Sequence, residues 1–357
     1  MHFSVISKVL GMLLMIFSLT LLPPMLVASI YGENTHQAFF LSFAITFSIG
    51  MLMWLPYSRD QADLRTRDGF LITVMFWLEL GLVGALPFAL VDPLNLSFTD
   101  AVFESMSGLT TTGATVITGL DLLPKSILYY RQQLQWLGGI GIVVIAVAVM
   151  PMLGVGGMQL YRAETPGPVK DSKLTPRITE TAKALFLIYV TLTISCMIAY
   201  WLAGMTFFDA LSHSFSTVAI GGFSTHDASM GYFDNNPAII SICIFFMIVS
   251  GISFGLHYYG WVHKSVSHYL RNPEAKMYLI MLLAGCLVSC LYLYFSGTHN
   301  KEDSLYHGAF QLVSMMTTTG FATDNFSAWP SFLPFLLIFL SFFGACAGST
   351  GGGIKVG

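Results

Sequence analysis

Eight stretches of this 357-residue sequence run for about twenty residues or more with little charge, and a helix needs roughly 20 apolar residues to cross ~30 Å of hydrocarbon. They occupy residues 3–30, 38–57, 70–91, 127–153, 184–202, 238–263, 277–295 and a last segment from about residue 332. Only 10% of the residues are charged and 55% are hydrophobic, against about a quarter charged in soluble domains. The expected fold class is an all-α polytopic membrane protein. The first stretch is too long for a cleaved signal and lacks a small-residue cleavage site, so it is read as retained. All five cysteines (Cys196, Cys243, Cys286, Cys290, Cys346) sit in apolar segments without CxxC or metal-ligand spacing, and read as packing residues. With a net charge of -3 and no basic run, nothing points to nucleic acid.

Loops between the stretches divide by charge. Residues 58–69 carry Arg59, Arg65 and Arg67; residues 161–183 carry Arg162, Lys170, Lys173, Arg177 and Lys183; residues 263–276 carry Lys264, Arg271 and Lys276. With Lys8 these are twelve of the sixteen Lys and Arg residues, so the positive-inside rule places these loops and the N-terminus in the cytoplasm.

The opposite loops, residues 92–130, 204–237 and 296–330, are long and contain apolar runs of about ten residues, too short to span and suited to re-entrant segments. The runs align. "TDAVFESMSGLTTTGAT", "FDALSHSFSTVAIGGFST" and "YHGAFQLVSMMTTTGFAT" bring Gly113, Gly222 and Gly320 into register, 109 and 98 residues apart. Six positions earlier stand Ser107, Ser216 and Ser314; thirteen earlier stand Asp100, Asp209 and His307. Repeats of this kind imply a pseudo-symmetry axis along the membrane normal, on which equivalent residues converge. The resulting division is an N-terminal helix pair over residues 1–69 and pore repeats over residues 70–160, 161–270 and 271–357.

Rings of backbone carbonyls replace the hydration shell of a cation when an extended segment passes a common axis, and glycine admits the positive φ such a segment needs. Adjacent threonine hydroxyls add oxygens or pin the loop. Asp100 and Asp209 read as N-caps of short pore helices, whose negative C-terminal ends then favour a cation. In these residues the chain resembles the Trk/Ktr/HKT superfamily of potassium transporters, and within it the membrane subunits of bacterial Trk uptake systems. The resemblance implies helix–re-entrant pore loop–helix units around a pseudo-fourfold pore in the bacterial inner membrane, a homodimer, and a cytosolic NAD/ATP-binding regulatory subunit of the TrkA type. It implies K+ as the transported ion, K+ and Rb+ passing over Na+ and Li+, no organic cofactor and no enzymatic activity. Carried over by position, the filter comprises Thr111, Thr112 and Gly113; Ile220, Gly221 and Gly222; and Thr318, Thr319 and Gly320. A fourth repeat is absent from this chain, and a native span is not expected to stop inside the final glycine-rich stretch.

That stretch, "GACAGSTGGGIK" over residues 344–355, fails the phosphate-loop pattern because Ile354 precedes Lys355. Small-residue helix packing is the plain alternative. Five glycines in ten residues instead favour an unwound segment, at ~1 kcal/mol each relative to alanine. The resemblance makes it an intramembrane gate formed by Gly344, Gly348, Ser349, Thr350, Gly351, Gly352, Gly353 and Lys355, with Lys355 repelling cations in the closed state. Alanines at residues 351–353 are expected to stiffen it and lower opening. Glu79 is an ionisable group inside an apolar stretch, read as an internal polar contact because the other repeats have no counterpart. His213, His257, His263, His268 and His299 show no ligand spacing. A Na+- or H+-coupled symporter remains the alternative to channel-like flux; a membrane enzyme fits less well, because no convergent nucleophile, acid and base is present.

Overall fold

Pro24 decides how the first apolar stretch is built. In a continuous helix its N–H would bond the carbonyl of Thr20, but proline has none. The stretch therefore breaks into α1 (Phe3–Leu19) and α2 (Leu22–Tyr31). The orphaned Thr20 carbonyl is satisfied by Gln133 Nε2 at 2.7 Å.

The computed structural model of the chain describes residues 3–60, 66–139, 141 and 178–355. Its residues form two compact units: 1–110 with 114–186, and 111–113 with 187–357.

In the first unit α1 packs along α3 (His36–Trp54), followed by α4 (Thr66–Gly84), α5 (Leu86–Leu90), α6 (Phe98–Leu109) and α7 (Lys125–Gly139). A β-carbon at Gly11 would lie 2.5 Å from the Gly50 carbonyl oxygen, the small-residue contact by which membrane helices approach closely. The carboxylate of Glu33 accepts the N–H groups of Lys125 and Ser126 at the start of α7, where orphan donors and the positive helix end favour an anion. Glu33→Ala is expected to cost about 1 kcal/mol, read as a lowered thermal midpoint in detergent. Of the expected span over residues 127–153, α7 shows the part to Gly139; residues 140 and 142–153 lie outside the described residues.

The second unit holds most of α8 (Ile178–Leu202), then α9 (Phe207–Ala219), α10 (Pro237–Ser250), α11 (Phe254–His263), α12 (Ser267–Arg271), α13 (Pro273–Phe295), α14 (Lys301–Met316) and α15 (Phe332–Phe342). The apolar stretch over residues 238–263 is not straight: α10 and α11 meet at 95°. Gly251 sits at the corner, where a β-carbon would come within 2.2 Å of the Tyr278 hydroxyl, and His257 Nε2 lies 2.9 Å from the carbonyl oxygen of Val249.

Among the described residues, five helical stretches are long and apolar enough to cross a bilayer: Phe3–Tyr31, His36–Tyr57, Asp68–Leu90, Lys183–Leu202 and Pro273–Phe295, with the bent pair as a sixth candidate. The chain is an all-helical, multi-pass membrane protein. Of the basic loop residues, Arg65, Arg162, Lys170, Lys173 and Arg177 lie outside the described residues, and so does the side chain of Arg67.

Candidate functional site

Three short helices, α6, α9 and α14, begin with side-chain caps. Ser97 accepts the N–H of Asp100 at 3.1 Å and donates to its carboxylate at 2.7 Å; Thr206 does the same with Asp209, at 3.1 and 2.6 Å. Asn300 accepts the N–H of Asp303 at 2.8 Å. The caps are thus Ser97, Thr206 and Asn300, and the expectation for Asp100 and Asp209 is corrected: each is the third helical residue, its N–H and carboxylate both bonded to the cap hydroxyl. His307 lies within α14, its Nδ1 3.0 Å from the hydroxyl of Thr323.

Each helix ends just before the aligned glycine, and the backbone then does the same thing three times. Thr111, Ile220 and Thr318 have φ of 53°, 55° and 64°, and two residues on Gly113, Gly222 and Gly320 have φ of 75°, 80° and 86°. A β-branched residue at positive φ is an outlier held only by its surroundings. Uniformly extended chain points successive carbonyls to opposite sides, whereas alternating the sign of φ turns them toward one side, the arrangement a carbonyl-lined ion site requires.

The loops also meet. A β-carbon on Gly113 would lie 2.2 Å from the Gly221 carbonyl oxygen and 3.6 Å from that of Thr319; one on Gly222 would lie 2.0 Å from the Thr319 oxygen. First, second and third loops therefore abut in order, each carbonyl lodged where the neighbouring glycine lacks a side chain. Apart from its two chain neighbours, no residue among those described places a heavy atom within 4 Å of the corresponding position on Gly320.

Serines six positions before the glycine fix the loops from behind. Ser107 donates to the carbonyl of Ala114 at 2.5 Å and Ser314 to that of Phe321 at 2.6 Å, the residue after the glycine in both cases. Threonines of the third loop pin rather than project: Thr317 donates to Val313 O at 2.7 Å and its hydroxyl lies 2.7 Å from that of Thr319.

Downstream anchors differ between loops. The buried Glu104 carboxylate receives Thr115 and Arg131; Asp209 receives Thr225 at 2.8 Å. His213, assigned nothing from sequence, is buried between the Asp209 carbonyl and the Ser224 hydroxyl, each at 2.9 Å. Beyond the third loop, burial would raise the Asp324 carboxyl, but Trp329 Nε1 and Asn325 N at 2.7 Å and His299 Nε2 at 3.0 Å outweigh it and hold the carboxyl below its usual range. A depressed carboxyl stabilises above its unfolded pKa and loses that contribution as pH falls through the folded one. Trp329 emission is expected to stay constant at neutral pH and change only below the ordinary Asp range of about 4.

Residues 343–355 leave α15 as a non-helical loop that returns alongside its own start in parallel, with Gly344 N bonded to Ile354 O at 2.9 Å and Ile354 N to Phe342 O at 2.8 Å. Its tip reaches the third loop: Gly352 N donates to the Thr318 hydroxyl at 2.8 Å. Thr350 donates to Val218 O at 2.9 Å, Cys346 N to Gly251 O and Phe254 N to Gly348 O at 2.9 Å, and Ala347 N to the Glu274 carboxylate. The Lys355 ammonium folds back onto the Gly351 carbonyl, so it staples the loop. Ser349 turns inward, donating to Cys346 O at 2.7 Å. Glu79 Oε2 has no hydrogen-bond partner among the described residues.

Apolar spans, three short capped helices ending at a shared backbone turn, and a glycine-rich loop bonded to the third of those turns mark a helical membrane protein with non-helical segments between its spans. The TrkH family, described as a cation transport protein, matches residues 35–356, and the chain belongs to it. It is 56% identical to the Trk system potassium uptake protein TrkH of Halomonas elongata and 52% identical to that of Escherichia coli K12, spanning 100% of this chain and 74% of each relative. The crystal structure of the potassium transporter TrkH from Vibrio parahaemolyticus superposes with a TM-score of 0.88 at 50% identity, covering 100% of this chain and 73% of that one.

Proposed function

We propose that this chain carries potassium across the bacterial inner membrane through a filter lined by the backbone of residues 111–113, 220–222 and 318–320, passing K+ and Rb+ over Na+ and Li+. The observation that carries this reading is the threefold recurrence of positive φ two residues apart, with second- and third-loop carbonyls seated against Gly113 and Gly222. Three helix C-termini, each worth roughly half a negative charge, stand just before these residues and favour a cation. A fourth equivalent segment completes a pseudo-fourfold ring. Residues 344–355 act as the gate, closed by their bond to Thr318, and a cytosolic NAD/ATP-binding subunit of the TrkA type controls it in a homodimer whose N-termini are cytoplasmic.

Rubidium uptake into liposomes at clamped voltage, with and without a pH gradient, tests this reading. Uptake is expected to follow voltage alone and to persist in excess sodium. Uptake that requires the proton gradient would replace channel-like flux with symport.

A further inference from the structure

Glu104 and Arg131 are both fully buried, on α6 and α7, inside a chain where an ionisable group at membrane depth is expensive and marks function by default. They meet at 2.7 Å between Arg131 Nε and Glu104 Oε1. A buried pair is tolerated when further hydrogen bonds saturate it, and here several of those bonds come from the chain just past Gly113. Thr115 Oγ1 lies 2.9 and 3.0 Å from the two carboxylate oxygens, Val116 N donates to Oε2 at 3.2 Å, and an Arg131 terminal nitrogen donates to Thr115 Oγ1 at 3.0 Å. The carboxylate thus grips two consecutive residues, and the guanidinium fixes both the carboxylate and the threonine.

The other loops show the same design with weaker parts. A pore-helix side chain holds a downstream threonine in each: Asp209 with Thr225 at 2.8 Å and His307 with Thr323 at 3.0 Å. The first loop's exit also has the most to restrain, because Ala114, Thr115 and Val116 are exposed whereas Phe223, Ser224 and Thr225 beyond the second loop are buried. Strain at Thr111 persists only while both ends of the loop are fixed. The helix fixes one end and the ion pair the other.

We propose that Glu104 and Arg131 are positioning residues for ion selection: they clamp the exit of the first filter loop and hold the Gly113 peptide at the spacing that suits a larger dehydrated cation, without either lining the pathway. This rests on the filter reading above. A loop freed at its exit contracts around a smaller ion, so loosening the clamp admits sodium while leaving rubidium flux in place.

The double variant Glu104→Gln/Arg131→Met removes the charges together and so avoids stranding one of them. Rubidium and sodium permeabilities are measured in liposomes after a thermal melt confirms folding, beside Gly222→Ala. The rubidium/sodium ratio is expected to fall about tenfold, the effect of one or two hydrogen bonds, with rubidium flux retained. An unchanged ratio in the folded double variant, while Gly222→Ala lowers it, overturns the clamp and leaves the filter reading intact. An unchanged ratio in both overturns the filter reading and the clamp with it. Should the double variant not fold, Thr115→Val is expected to lower the ratio and Thr115→Ser to restore it; equal ratios in these two overturn the proposal.

Discussion

Gly222→Ala is expected to abolish selective rubidium uptake while leaving the protein folded. The added β-carbon would stand 2.0 Å from the Thr319 carbonyl oxygen and 3.0 Å from its carbonyl carbon, so backbone has to move by more than 1 Å. Thr319 has little room to yield, since its hydroxyl is tied to Thr317 and its N–H to Ser314 O at 2.8 Å. Misplacing a binding group by about 1 Å costs on the order of 100-fold where geometry carries discrimination. Gly113→Ala is expected to be comparably severe, with its β-carbon 2.2 Å from Gly221 O. Gly320 separates two accounts. Its φ of 86° strains any substitution, yet beyond its two chain neighbours no described residue comes within 4 Å of a β-carbon there. The proposed fourth segment predicts that Gly320→Ala is as damaging as the other two; a mild effect would contradict the closed ring. Rubidium/sodium permeability ratios for the three variants decide it.

Gly344→Ala is expected to open the pathway without the cytosolic regulator. A β-carbon at Gly344 would lie 1.9 Å from the Gly352 carbonyl oxygen, which prevents the loop from closing on itself and breaks the bond between Gly352 N and Thr318. Losing ~1.4 kcal/mol or more from the closed state shifts the equilibrium at least about tenfold, so regulator-independent rubidium flux should rise by that factor. Deleting residues 348–353 should do the same, and Thr350→Val, which loses its bond to Val218 O, should act more weakly. Alanines at residues 351–353 act in this direction too. Helix propensity alone expects them to stiffen the segment and lower opening. In the structure Gly353 has φ 74° and a β-carbon on Gly351 would meet that of Ala345 at 2.5 Å, so alanine there displaces the closed loop. Flux in folded Gly344→Ala that still depends wholly on the regulator would place the barrier elsewhere.

Spans and loops were readable in the sequence because their signals are coarse: lengths matched to a bilayer, and three glycines in one register. Positive φ at Gly113, Gly222 and Gly320 follows from residue type. Positive φ at Thr111, Ile220 and Thr318 does not, since β-branched side chains oppose it and only packing imposes it. The caps were misread by three positions. "SFTD" and "TFFD" both spell a Ser or Thr followed by an acid at the third helical residue, the signature of a hydroxyl cap, and the acid drew attention from the hydroxyl. Arg131 sat inside what read as a span, 27 residues from Glu104, with no local pattern to join them. The corner between α10 and α11 was hidden because an apolar run has the same composition straight or bent by 95°. Ser107 and Ser314 were visible as aligned positions, but their bonds to the carbonyl after the glycine are tertiary facts.

The most direct test of the account is anomalous scattering from crystals of the transporter grown in rubidium. The predicted result is rubidium density on the axis shared by the carbonyls of residues 111–113, 220–222 and 318–320, and its loss in Gly222→Ala crystals. Rubidium bound away from all three loops, with these carbonyls turned to protein partners, would contradict it.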